Sequence, residues 1–140
     1  MLQEVRVGVK LRKYMQIFEE LATGERFIYS INHFKAKSGS GASGADANRG
    51  DGQGAFNASR VAEANGVIDK YNTIRAALKD DDILVMGDLN AYAKEDPITT
   101  FLKNGFYALH RYFHADSSYS YMFGGTAGYL DHAITSASLV

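Results

Sequence analysis

Apolar residues recur along this chain with two different periods, and the switches between them mark its elements. Val5, Val7, Val9 and Leu11 alternate with polar or small residues, which predicts a strand with one buried face over 5–11. Two further extended segments are predicted over 14–20 and 26–34, joined through Gly24 of "ATGER" as a hairpin. The second of them, "RFIYSINHF", is rich in the aromatic and β-branched side chains that pleated surfaces favour. Over 56–78 the period becomes helical: Val61, Ala64, Ile68, Tyr71, Ile74 and Leu78 form one stripe, with Asn57 as the expected N-cap. Gly66 interrupts that helix at a cost of about 1 kcal/mol relative to Ala, so it is expected to mark a close packing contact. "KDDD" ends the helix. "ILVM" follows as a short, wholly apolar strand, the pattern of a strand buried on both faces. Asp96, Pro97 and Gly105 read as N-cap, first helical residue and terminator of a second helix. "SYSYMF" and "YLDHAITS" read as strands around a Gly124-Gly125 turn. Strands and helices that alternate in part imply an α+β fold around a mixed sheet.

The segment 36–54 stands apart, with six glycines, three serines and almost no apolar residues. It is expected to be a mobile, Gly-rich loop within one domain spanning 1–140. Its Arg49-Gly50-Asp51 tripeptide reads as a plain turn.

Charge and composition then narrow the chemistry. A net charge of −1 supplies no bulk attraction to a polyanion, so a nucleic-acid partner requires a local basic patch or a bound cation. The absence of cysteine excludes disulfides, thiolate metal sites and a Cys nucleophile. No apolar run is long enough to span a bilayer, and no signal-peptide pattern follows Met1.

Three polar pairs fall at predicted strand ends: Asn32-His33, Asp88-x-Asn90 and Asp131-His132. Strand ends are where side chains can meet a ligand without breaking a ladder. Asp88 offers a hard oxygen donor suited to Mg²⁺, and Asn90 can orient a water or donate to a phosphoryl oxygen. His33 and His132 are candidate proton carriers. The same Asp-x-Asn also satisfies an Asx turn, and His33 can be a hydrogen-bonded core histidine. Asp131 and His132 must face opposite sides of their strand, so only one can enter a site. Spacing leaves both readings open.

The stretches "INHFKAKSGSG", "GDGQGAFNASRVAEA", "VMGDLNAYAKEDPI" and "YSYMFGGTAGYLDHAITS", within about 27–138, resemble the endonuclease/exonuclease/phosphatase superfamily. They are most similar to its bacterial extracellular-nuclease branch. The resemblance implies the second half of a DNase I-like four-layer α/β/β/α sandwich, a mixed sheet with the long helix on one face. It implies divalent-metal-dependent phosphodiester hydrolysis, an endonuclease acting with Mg²⁺ or with Mn²⁺ or Ca²⁺ in its place. His33, Asp88, Asn90 and Asp131 then become catalytic residues, with Asp88 and Asn90 also holding the metal. Asn32, Lys35, Lys37, Arg60 and Tyr129 become substrate contacts.

The family's first metal ligand, a Glu, and its terminal histidine would lie outside these 140 residues, upstream and downstream. Glu4 mimics the first but stands too close to His33, and Arg12-Lys13-Tyr14 occupies the place of an Arg-x-Pro segment without its proline. The implied partners are nucleic acid and the rest of the parent domain, with self-association through an uncovered sheet face. The implied location is outside or on the surface of a bacterial cell. A phosphatase or lipid phosphodiesterase of the same fold, and a non-catalytic surface module, are the alternatives.

Overall fold

A computed structural model describes residues 14–114 and 119–140, together with the backbone of 5–6. Glu4, Arg12-Lys13 and the remainder of the first predicted strand lie outside the described residues.

One mixed sheet carries the architecture. Its strands are β1 (Val5–Arg6), β2 (Tyr14–Glu19), β3 (Arg26–His33), β4 (Ile83–Asp88), β5 (Tyr107–Ala108) and β8 (Asp131–Thr135), in the order β1-β2-β3-β4-β8-β5. Every neighbouring pair is antiparallel except β3 and β4, whose parallel pairing requires the long crossover between them. That crossover holds the glycine-rich segment, a 3₁₀ turn (Gly44–Asp46) and α1 (Asn57–Leu78). α2 (Asp96–Lys103) and α3 (Leu109–His114) follow β4. A separate two-stranded hairpin, β6 (Tyr121–Phe123) and β7 (Thr126–Gly128), precedes β8 and turns at Gly124-Gly125.

Alternation along β2, β3 and β4 divides the sheet into two unlike faces. Met15, Ile28, Ser30, Ile83 and Val85 are buried on one side, in the core shared with Ala64, Val67, Ile68, Tyr71 and Ile74 of α1. Phe101 of α2 and Phe106 extend this core, their rings 5.6 Å apart, and Tyr71 meets Phe106 edge-on at 5.4 Å. Phe18, Phe27 and Ile31 lie on the other side and remain exposed, with Tyr29, Leu84 and Met86 half-buried. The expectation that β4 is buried on both faces is therefore corrected: among the described residues, helices cover only one face.

The core stripe of α1 is offset from the expected one. Arg60, Glu63, Ala64, Val67, Ile68, Tyr71 and Ile74 are buried, whereas Val61 and Leu78 sit at the edges, half-buried. The polar pair at positions 60 and 63 occupies the core-facing turn nearest the loop. Asn57 is not the N-cap. Phe56 holds that place with a left-handed φ of 61°, and Asn57 instead donates from Nδ2 to Asp96 Oδ2 of α2 at 2.6 Å. Asp46, on the 3₁₀ turn, does the capping from outside. Its Oδ1 accepts the Ser59 amide at 2.8 Å and its Oδ2 the Ser59 hydroxyl at 2.5 Å. Those bonds, the hydroxyl's first, hold the Asp46 carboxyl below the ordinary carboxylate range.

Further anchors tie the loop. Arg60 donates to the carbonyls of Gln53 and Ala55, and the Gln53 side-chain oxygen accepts the Asp96 amide at 2.9 Å. Arg49-Gly50-Asp51 is an exposed turn in which Gly50, at φ 70°, donates to Asn48 Oδ1. Glu95, one residue before the position expected, is the N-cap of α2. Both corrections at helix starts have one cause: a distant or neighbouring oxygen satisfied the amides before the local side chain did.

Gly66 is exposed on α1, so the expected packing contact is not found among the described residues. Gly66→Ala is accordingly expected to stabilise the fold by about 1 kcal/mol, read as a rise of a few degrees in thermal melting. An unchanged or lowered melting temperature would show that the glycine serves some other end.

Candidate active site

The three strand-end pairs converge, because the register aligns them. His33 closes β3, Asp88 closes β4 beside it, and Asp131 opens β8 beside Asp88. All three project from the open face of the sheet, set there by the same two-residue alternation that buries Ser30, Val85 and His132. His33 Nε2 lies 3.7 Å from Asp88 Oδ2, with the side chains 65 % and 38 % exposed. The glycine of "GDLN" makes this adjacency possible. Gly87 has φ 129°, and a Cβ there would stand 2.0 Å from the Asn32 carbonyl oxygen.

Asp88 does two things at once. Its Oδ1 accepts the Asn90 amide at 2.8 Å, an Asx turn in which Asn90 takes a left-handed φ of 48°. Its Oδ2 faces His33. Asn90 in turn donates from Nδ2 to the Phe34 carbonyl at 3.0 Å, tying the end of β3 to the turn after β4. The Asx turn leaves the second carboxylate oxygen of Asp88 facing His33, so the turn and the row share one side chain. Asp131 is exposed and accepts the Ser120 hydroxyl at 3.3 Å. Ser120 went unnoticed in the sequence, since nothing in its spacing marks it.

His132 lies on the opposite face, as alternation requires. It is 3 % exposed, and its Nε2–H donates to the Ala91 carbonyl at 2.7 Å. Burial first, and His110 to a lesser degree, lower its pKa from 6.5 to about 4, so it is neutral in the folded chain at ordinary pH.

The expected substrate contacts are placed less favourably. Asn32 is 2 % exposed on the helix face, donating to the carbonyl and hydroxyl of Ser30, with Oδ1 buried and without a hydrogen-bond partner among the described residues. It cannot meet a substrate as the chain stands, because adjacent strand residues point apart. Arg60 is fully buried and donates to the backbone oxygens of Lys35, Gln53 and Ala55; it is a scaffold residue. Lys35 lays its ammonium over the Phe56 ring at 3.9 Å, and its amide is held by Glu63 Oε2 at 2.8 Å. Lys37 pairs with Glu95 Oε1 and lies 4.4 Å over the Tyr92 ring. Tyr129 is buried, its ring 4.7 Å from His110 and 4.9 Å from His132. Glu63 and Glu95, the acidic partners that fix this basic set, were not marked by the sequence, the first lying within the long helix and the second just before the expected start of the next.

The donor chemistry at the row suits a hard cation. Asp88 supplies a carboxylate and Asn90 a neutral amide oxygen, and Mg²⁺ needs only one or two carboxylates beside water and phosphate. The described residues contain no cluster of three or more His, Asp or Glu side chains arranged around a metal position. They fit part of a divalent site.

A mixed sheet with helices on one face and a His-Asp-Asp row at its strand ends defines a recognisable class. The chain belongs to the endonuclease/exonuclease/phosphatase family, whose model matches residues 2–140. No curated protein sequence matches it. Among solved structures it is similar to the human Nocturnin catalytic domain with bound sulfate, at TM-score 0.68 and 18% identity over 97% of this chain and 48% of that one. It is also similar to a mannosyl-6-phosphatase from Bacteroides thetaiotaomicron, at TM-score 0.65 and 16% identity over 90% of this chain and 43% of that one. An endonuclease/exonuclease/phosphatase family protein from the same organism matches at TM-score 0.62 and 17% identity, over 90% of this chain and 42% of that one. The chain thus spans less than half the length of the structures it matches, and the likeness is one of fold.

Proposed function

We propose that this chain is one half of a phosphoester hydrolase domain, contributing His33, Asp88, Asn90 and Asp131 to a divalent-metal site. The observation that carries the reading is the row of His33, Asp88 and Asp131 at one level of three adjacent strands, with Asn90 fixed behind it. Asp88 and Asn90 would hold Mg²⁺ or Mn²⁺, which neutralises charge developing on a phosphoryl group when bound. His33 donates to a phosphate oxygen and Asp131 positions a proton carrier. Asn90 turns a water toward phosphorus.

The finer reading is a nuclease of the extracellular bacterial branch, supported by the four sequence stretches that resemble it. Exported activity and nucleic-acid substrate belong to this proposal. A phosphatase of the same fold is the second reading, favoured by one observation: Lys35, Lys37 and Arg60 are all engaged by protein groups. Phosphodiester nicking and phosphomonoester release, measured on a complete domain containing this chain, separate the two. Hydrolysis is expected to vanish in EDTA and return with Mg²⁺. A folded, complete domain that cleaves neither ester class would overturn the proposal.

A further inference from the structure

The β6–β7 hairpin is the part of the described surface with no role in the chemistry above. Its aromatic side chains are exposed. Tyr121 is 43% exposed, Phe123 71% and the neighbouring Tyr119 61%. Tyr121 and Phe123 are two residues apart on one strand and so share a side. Their ring planes lie within 9° of parallel, with centroids 6.3 Å apart.

Two contacts of the hairpin reach the neighbourhood of the row. Ser120, immediately before β6, donates its amide to the Gly128 carbonyl at 2.9 Å and its hydroxyl to Asp131 at 3.3 Å. Gly128 closes the ribbon against Tyr92 so tightly that a Cβ would stand 2.7 Å from that ring. Tyr92 lies two residues beyond Asn90. The hairpin is therefore tied to Asp131 and to the segment that follows Asn90. Beside it runs an open cleft of about 680 Å³, lined by Asp51, Tyr92, Lys94, Glu95 and Tyr129 among others. Within this lining, Glu95 is already paired with Lys37.

We infer that this hairpin is a base-stacking platform, on which Tyr121 and Phe123 receive an unpaired nucleobase adjacent to the phosphate held at the row. The inference rests on the phosphoester-hydrolase reading and narrows its substrate to single-stranded nucleic acid. Lys94 of the cleft lining can meet a phosphate, but Lys35, Lys37 and Arg60 do not supply the recognition, because they are held by Phe56, by Glu95 and by backbone carbonyls. Stacking does, since every base presents a π-face. Bases inside a duplex are stacked on one another and cannot be offered to the hairpin.

Equilibrium binding in EDTA, where turnover is blocked, tests this on the complete domain. The probes are a labelled six-residue thymidylate strand and an abasic strand of equal length. Tyr121→Ala and Phe123→Ala are each expected to weaken thymidylate binding on the order of 10-fold and to leave abasic binding unchanged. Leu21→Ala, in the β2–β3 turn at a residue 97% exposed, serves as the control and changes neither. Equal affinity of the unaltered domain for both strands, or affinity for neither, would overturn the inference. So would an equal loss on both strands in the variants, which would show that the hairpin acts through Ser120 and Asp131 or lies beneath the rest of the domain. A domain that binds thymidylate through these rings yet hydrolyses no phosphoester would sink the enzymatic reading alone. Hydrolysis without preference for bases would sink the platform alone.

Discussion

Asp88→Ala, introduced into the complete domain, is expected to lower metal-dependent hydrolysis by about 10²–10³-fold while the protein stays folded. The loss comes from the row, where the carboxylate faces both His33 and the position argued for the cation. The fold loses less. Asp88 is 38% exposed, so truncation opens no sealed cavity, and the sacrificed bond is the one that Oδ1 accepts from the Asn90 amide. One such bond is worth about 1 kcal/mol. Asp88→Asn sharpens the test, since its amide oxygen can keep the turn while the charge is gone. Stability near that of the unaltered protein with activity as low as in Asp88→Ala is the expected pattern. Full activity in Asp88→Asn, with unfolding in Asp88→Ala, would make the residue a turn former and nothing more.

The second large effect is acid instability centred on His132. In the unfolded chain its imidazole takes up a proton near pH 6.5, whereas the folded chain resists until about pH 4. Between those values the unfolded state binds more protons, so stability falls as pH falls. The contribution is intact above pH 6.5 and is lost progressively down to about pH 4. At about 1.4 kcal/mol per pH unit this amounts to roughly 3 kcal/mol, a large share of a domain's usual margin. Carboxylates titrate in the same window, so the comparison must be with His132→Gln, which can still donate to the Ala91 carbonyl. Urea midpoints measured from pH 7 to pH 4 are expected to fall less steeply in that variant. Parallel slopes for the two proteins would show that His132 is charged in the folded state after all.

Much of this site was legible because strands expose their pattern directly. Alternation alone placed Asp131 and His132 on opposite faces, whereas the close approach of Gly87 to the Asn32 carbonyl depends on a neighbouring strand that its own sequence does not name. The α1 stripe was harder to read because apolarity served as its only marker. Arg60 and Glu63 stand on the same face as Ala64 and Val67, at helical spacing, but their charge disguised them. The fates of Lys35 and Lys37 were not legible at all. They depend on Phe56, Tyr92 and Glu95, which only the folded crossover brings near. β5 and α3 escaped notice because two and six residues are too few to establish a period.

The strand order carries a hazard for the growing polypeptide on the ribosome. β4 finds its parallel neighbour β3 already synthesised, but its other edge waits for β8, more than forty residues further along the chain. Until then Ile83, Leu84, Val85 and Met86 offer an unpaired and uncharged edge to any other nascent chain, the kind of segment from which aggregates grow. Asp131 arrives on the strand that closes this edge. Protection from misassembly and alignment of His33, Asp88 and Asp131 are therefore the same event, and this edge is at its most vulnerable just before the three side chains come together.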